Sequence, residues 1–119
     1  MFEDGVPIFQ QLGDHLASDV LAGRYREGDQ VPSINELAAF FRINPATANR
    51  AVAGLVDRGI LVKRRGVGMF VADGARTRIA EERRASLVEK YVAPLVAESR
   101  VLGMSAGELI ELVQKEARS

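Results

Sequence analysis

The chain has 119 residues, no cysteine and a formal net charge of zero, and 47% of its residues are hydrophobic. This length suggests one domain, or a small domain with an appendage, and the lack of cysteine excludes disulfides. The start of the chain lacks a secretory pattern, and no segment approaches the roughly 20 apolar residues that span a membrane. The sequence therefore predicts a soluble cytoplasmic protein.

The first predicted helix opens at Pro7, because proline is well tolerated in a first helical turn. Gly23 ends this helix, and residues 24–32 follow as a loop. The apolar residues of the helix recur at spacings of three and four, which predicts one buried face; they are Phe9, Leu12, Leu16 and Val20. His15 lies at the edge of this face without a partner for catalysis or metal binding, so we expect it to be structural.

Two short helices joined by a tight turn come next, which is a helix-turn-helix pattern. Ser33 and Glu36 have the spacing of a capping box that opens the first of these helices. Asn44 and Pro45 supply an N-cap and a first-turn proline for the second. Gly59 then ends the second helix, since glycine readily takes the left-handed conformation found at helix ends.

The second helix of this pair has two different faces when its residues are placed about 100° apart. One face should be buried, with Ala38, Phe41 and Ile43 completing the core; it holds Ala48, Val52, Leu55 and Val56. The other face is small and polar, with Ala46 beside it and Asn49 at its border; it holds Thr47, Arg50, Gly54 and Asp57. Such a face, centred on Arg50, suits a helix that enters a DNA major groove. An amphipathic helix with a solvated arginine would show the same pattern.

The pattern becomes strand-like after the second helix. Two β-prone runs, residues 60–62 and 69–71, flank Lys63-Arg64-Arg65 and Gly66-Val67-Gly68, which predicts a hairpin with a basic tip. Directly after a recognition helix, a basic hairpin is a wing that can follow a phosphate backbone. The alternative, a nucleotide phosphate cradle, lacks the third glycine, the Walker lysine–serine pair and the following helix.

The net charge of zero conceals an uneven distribution. Up to Phe41 there are seven acids and two bases, whereas Arg42 to Arg65 holds six bases and one acid, a local charge of plus five. Affinity for DNA depends on cations near the contact surface, because each neutralised phosphate releases counterions. The distribution is therefore compatible with DNA binding, although the modest total predicts weak non-specific affinity at physiological salt.

After Asp73-Gly74 the composition becomes helical, so we predict a winged domain at residues 1–74 and a helical tail at residues 75–119. Pro94 should bend or break the first tail helix near Val92 to Ala93. A second capping box, Ser105 with Glu108, starts the final helix.

The tail carries apolar rows that its two helices cannot bury against a core of their own. A symmetric dimer would bury the rows of both copies against each other, and a monomer with the tail folded onto its own domain is the alternative. The predicted dimerisation residues are Leu87, Val88, Tyr91, Val92, Leu95, Val96, Leu109, Leu112 and Val113.

Taken together, these motifs resemble the GntR family of bacterial transcription regulators, and most closely its YtrA-like short-tail subfamily. The matching segments are Val31–Ala38, Asn44–Thr47, Arg50-Ala51, Arg58-Gly59 and Arg64–Val71, with Pro7–Gln11 near the start. The resemblance implies a dimeric winged helix-turn-helix repressor that binds an inverted-repeat operator. Family members commonly carry arginine where this chain has Asn35, and often a second where it has Asn49. Arg50 matches a position that is often basic in the subfamily.

We therefore expect a mostly α fold with a small β-hairpin, built as an N-terminal winged helix-turn-helix and a two-helix C-terminal dimerisation tail. The expected partners are a double-stranded DNA operator and a second copy of the chain. The candidate DNA-contacting residues are Ser33, Asn35, Asn44, Pro45, Ala46, Thr47, Asn49, Arg50, Lys63, Arg64, Arg65, Gly66 and Gly68. The alternative function is a winged-helix module for protein interaction.

The sequence offers no arrangement of residues that resembles a catalytic set, so we expect neither enzymatic activity nor a metal or cofactor. Roughly 45 tail residues cannot readily enclose a ligand pocket of ~300 Å³ or more. An unidentified small-molecule effector would therefore have to bind at the dimer interface or between the tail and the winged domain.

Overall fold

A computed structural model describes residues 2–119, and it is mostly helical with one two-stranded antiparallel hairpin. The helices are α1 (Ile8–Leu21), α2 (Ile34–Phe41), α3 (Pro45–Asp57), α4 (Ala75–Leu87), α5 (Ala93–Val101) and α6 (Ala106–Arg118), and the strands are β1 (Leu61–Arg64) and β2 (Gly68–Val71). The chain forms two compact units: the first ends at Glu81, and the second spans Glu82–Ser119. The predicted helix-turn-helix, hairpin and helical C-terminal region are confirmed.

The core of the first unit lies where α3 packs against α1, α2 and β1. Its largest fully buried side chains are Leu12, Leu55, Ile60, Val71 and Ile79. Each such burial stabilises the fold by about 1.5–3 kcal/mol. Ile79 belongs to α4, so the first turns of α4 are part of this core rather than of a separate tail.

Two residues of the predicted buried faces are less buried than expected. Val56 is 37% exposed, whereas Ala51 is only 3% exposed and takes its place. The reason is geometric. The buried face of α3 is centred between Ala48 and Leu55, and Val56 lies about 100° around the helix from Leu55. Phe9, from the predicted stripe of α1, is only half-buried and packs against the edge of the core.

The turn between α2 and α3 is as short as predicted, and it depends on one unusual backbone conformation. Arg42 has φ 55°, in the left-handed region that glycine usually occupies. The next amide, Ile43 N–H, donates to the carbonyl of Ala38 at 3.0 Å. The left-handed residue thus ends α2 and redirects the chain into α3.

The end of α3 confirms the predicted role of Gly59. This glycine has φ 74°, and its N–H donates to the carbonyl of Val56 at 2.9 Å. Ile60 N–H donates to the carbonyl of Leu55, also at 2.9 Å. This pair of bonds is a Schellman motif, which satisfies carbonyls that the helix end would otherwise leave unpaired.

The hairpin follows α3 directly, and its register pairs Leu61 with Val71 and Arg64 with Gly68. The segment predicted as a loop contributes to the same sheet, because Gln30 forms a β-bridge with Phe70. The base of the hairpin therefore has backbone partners on a second side.

The second unit contains the end of α4, α5 and α6. A π-helical turn, Val88–Val92, lies directly before Pro94, and Ala93 N–H donates to the carbonyl of Val88, five residues back. Proline cannot donate a helical hydrogen bond, so the interruption falls where Pro94 predicts it. The capping box of Ser105 and Glu108 is also confirmed, at 3.1 Å for both of its bonds.

Candidate DNA-binding surface

The N-terminal half of α3 presents the polar face that the sequence predicts. Asn44 caps the helix, accepting a bond from Ala46 N–H at 2.8 Å on its side-chain oxygen. Asn49 and Arg50 are exposed and Thr47 is half-buried, while Ala48 between them is fully buried. The predicted contact residues of α3 are thus available to a ligand on the surface of the first unit.

The start of α2 is held by the predicted capping box. Ser33 N–H donates to Glu36 Oε1 at 3.0 Å, and Glu36 N–H donates to Ser33 Oγ at 3.1 Å. The bond from the backbone of Ser33 lowers the pKa of Glu36, because it stabilises the charged carboxylate. Asn35, in the first turn, is exposed.

The wing carries its cations on the outside. Lys63, Arg64 and Arg65 are all exposed, and the guanidinium of Arg64 lies over the ring of Phe70, with 4.4 Å between its Cζ and the ring centroid. Gly66 has φ 77°, which suits a tight turn. The structure extends β1 over Lys63 and Arg64, which the sequence placed at the tip, because Arg64 pairs with Gly68. The loop is therefore residues 65–67, with Arg65 as its cation, and the ring of Phe70 holds Arg64 beside it.

Gln30 holds this loop in place, and sequence reasoning missed it. Its side-chain amide donates to the carbonyl of Val67 at 3.0 Å. A side chain at Gly68 would displace the same amide, since a Cβ there would lie 2.5 Å from Gln30 Nε2, and the φ of 143° at Gly68 is one that other residues rarely adopt. Glycine at this position lets the loop close over the glutamine. Nothing in the sequence pattern links residues that are 37 positions apart.

The six bases between Arg42 and Arg65 all prove to be exposed in the structure. Of the thirteen candidate DNA-contacting residues, Thr47 and Gly68 are half-buried and the others are exposed. All of them lie in the first unit. This unit therefore combines a polar helix face with a cationic wing. DNA-binding proteins use surfaces of these two kinds to contact bases and phosphates.

A groove of about 590 Å³ lies on α1 and α2, and sequence reasoning did not predict it. Leu16, Tyr25 and Phe40 are among its lining residues, and the side chain of Phe40 is 76% exposed. The carboxylates in the lining have partners: Asp19 pairs with Arg24 at 2.8 Å and Glu36 caps α2. The groove thus offers mainly apolar contact.

The predicted dimerisation residues form much of the apolar surface of the second unit. Val96 and Leu109 are half-buried there. The other seven are exposed: Leu87, Val88, Tyr91, Val92, Leu95, Leu112 and Val113. Large exposed apolar side chains on amphipathic helices are typical of a surface that associates with a partner.

No helix within residues 2–119 has both the length and the apolar character needed to cross a membrane. Over the same residues, no group of three or more histidines, aspartates and glutamates lies in an arrangement that could hold a metal ion.

Comparison with known proteins identifies the family. The model of the GntR family, described as bacterial regulatory proteins, matches residues 8–71, which is more than half of the chain. The chain is 27% identical over 109 residues to the HTH-type transcriptional repressor YtrA of Bacillus subtilis, covering 92% of this chain and 83% of YtrA.

Solved structures show the same likeness. A putative transcriptional regulator of the GntR family from Bacteroides thetaiotaomicron has a TM-score of 0.78 and 28% identity, covering 93% of this chain and 96% of that one. AraR(DBD) in complex with operator ORX1 has a TM-score of 0.58 and 27% identity, covering 60% and 93%. The chain belongs to the GntR family of bacterial regulatory proteins.

Proposed function

We propose that this protein represses transcription by binding an inverted-repeat operator as a homodimer in the cytoplasm. As a GntR-family member it is a DNA-binding transcriptional regulator. The observation that carries the proposal is the combination of the exposed α3 face with six exposed bases in the same unit. The similarity to YtrA, which is named as a repressor, and to an operator complex of AraR(DBD) supports it.

The second unit supports the proposed homodimer. Its exposed apolar residues would remain in water in a single copy, and burying one leucine-sized side chain contributes about 1.5–3 kcal/mol. A two-fold axis would bury the same rows of both copies and present two winged units to DNA. Two identical recognition helices related by such an axis match an inverted repeat, because operator symmetry mirrors protein symmetry.

Selection of bound sequences from random double-stranded DNA would test this proposal. We expect the enriched sequences to share two inverted half-sites at a fixed spacing, since each recognition helix reads one half-site. A single half-site, or direct repeats, would contradict the symmetric arrangement. No enrichment at all would favour the alternative of a module for protein interaction.

Within this proposal, the wing should contribute affinity more than specificity. Replacing Arg64 and Arg65 by alanine removes up to two phosphate contacts per protomer, and the slope of log K against log salt should fall by about 0.9 for each. Affinity for the selected operator and for random DNA should fall together. Binding titrations at several salt concentrations would measure both effects.

The matched control replaces the same two arginines by lysine, which keeps the charge. It should retain most of the salt slope, because counterion release depends on charge rather than on the guanidinium. If the alanine variant loses affinity only for the operator, a wing arginine reads the minor groove instead.

A further inference from the structure

Arg50 is in contact with an aromatic ring from another helix. Its guanidinium carbon lies 3.8 Å from the ring centroid of Phe9, which belongs to the first turn of α1. Arg50 is exposed, while Phe9 is half-buried and packs against the core. The ring therefore lies under the arginine at the centre of the recognition face.

We infer that Phe9 is a positioning residue that holds the Arg50 guanidinium for reading a guanine edge. The inference rests on the proposed function and adds a specificity determinant from outside the helix-turn-helix. It follows from the geometry of the two groups. A cation over an aromatic face uses the flat side of the guanidinium, whereas its five N–H donors lie in the plane of the group and stay free. Stacking on Phe9 is thus compatible with a two-bond contact to a guanine.

The advantage is preorganisation. An arginine side chain carries about 2 kcal/mol of rotamer entropy, part of which is lost when it binds. A ring that holds the guanidinium in the free protein reduces the loss on binding, because the group is already restricted.

The ring itself is well anchored. Pro7 precedes α1, and α1 packs against α3 along the buried residues Leu12 and Leu16. The side-chain amide of Gln11, two residues after Phe9, donates to the carbonyls of Glu3 at 2.9 Å and Val6 at 2.8 Å. These bonds hold the segment before α1 against the helix. Phe9 can therefore act as a fixed platform.

The test replaces Phe9 by leucine, which keeps an apolar side chain but has no aromatic face, and by tyrosine, which keeps the face. Each change is made in the wild-type chain and in Arg50→Ala, and affinity is measured for the selected inverted repeat and for a copy with its guanines substituted. Thermal unfolding of each variant checks the fold. Phe9→Leu should weaken binding about two- to fivefold per half-site, the size of an exposed cation–π contact. Phe9→Tyr should bind like the wild type.

The double substitution separates positioning from packing. If Phe9 acts through Arg50, Phe9→Leu changes nothing further in Arg50→Ala. Equal losses in both backgrounds would overturn the inference, because Phe9 would then only pack. Tighter binding by Phe9→Leu would also overturn it, since the ring would then hold Arg50 away from DNA.

A measurement without DNA distinguishes failure of this inference from failure of the proposed function. The Nε–H resonance of Arg50 should show an upfield ring-current shift in the free protein that Phe9→Leu removes. Operator binding without this shift would overturn the inference alone. A wild-type chain that shows the shift but selects no DNA would overturn the proposed function and, with it, the role of the pair in base reading.

Discussion

Arg50→Ala should abolish the preference for one base pair in each operator half-site and leave binding to random DNA nearly unchanged. Arg50 lies in the second turn of α3, on its exposed face. Its guanidinium fork can bond both acceptors of a guanine edge, which is worth about 1–3 kcal/mol of discrimination. This corresponds to a loss of about 5- to 150-fold in affinity at each half-site. Competition titrations with operators substituted one base pair at a time would measure it.

The control for this prediction is Arg26→Ala. Arg26 is an exposed arginine in the loop before α2, outside the candidate DNA-binding residues. Its removal changes the total charge by the same amount but should leave the base preference intact. If Arg50→Ala instead weakens binding to every sequence equally, Arg50 contacts a phosphate, and specificity must come from Thr47, Asn49 or DNA shape.

Leu95→Glu should convert the protein to a monomer and weaken operator binding. Leu95 lies in α5 and is 41% exposed within the predicted dimerisation rows. In a symmetric dimer each substitution occurs twice. The free energy of dimerisation should therefore fall by at least about 3 kcal/mol, which raises the dimer dissociation constant about 100-fold. The two winged units, no longer linked in a dimer, then bind their half-sites independently. Sedimentation and operator titrations at matched protein concentrations would follow both effects.

Val101→Glu provides a matched control on the same helix. Val101 is 80% exposed and lies about 140° around the helix from Val96, away from the predicted rows. It should leave the dimer intact. A dimeric Leu95→Glu variant with normal affinity would mean that the interface lies elsewhere.

The full chain is the right context for this experiment. Truncation after Gly74, the predicted domain boundary, would remove Ala75 and Ile79, which are 0% and 1% exposed in the core of the first unit. Arg78 would be lost as well, and its guanidinium donates to the carbonyls of Gly59 at 2.6 Å and Asp73 at 3.1 Å. Weaker operator binding by a truncated fragment could therefore come from lost dimerisation or from lost stability.

Local features of this protein could be predicted from its sequence because their causes lie within a few residues. The capping boxes at Ser33 and Ser105, the N-cap at Asn44, and the glycine at the end of α3 all match their predicted roles. Each depends on a side chain or backbone conformation that acts on its own helix end. The periodicity of apolar residues likewise predicted most of the buried face of α3, because the positions of side chains around a helix depend only on its local geometry.

Other features depend on contacts between distant segments, and the pattern of one segment does not reveal its neighbour. The bond from Gln30 to the wing joins residues 37 positions apart, and the stack of Arg50 on Phe9 joins α3 to α1. The exposure of Val56 was decided by which part of the apolar face of α3 the neighbouring helices cover. Sequence reasoning thus identified Arg50 as the candidate base reader, while the packing of α1 against α3 decided what lies beneath it.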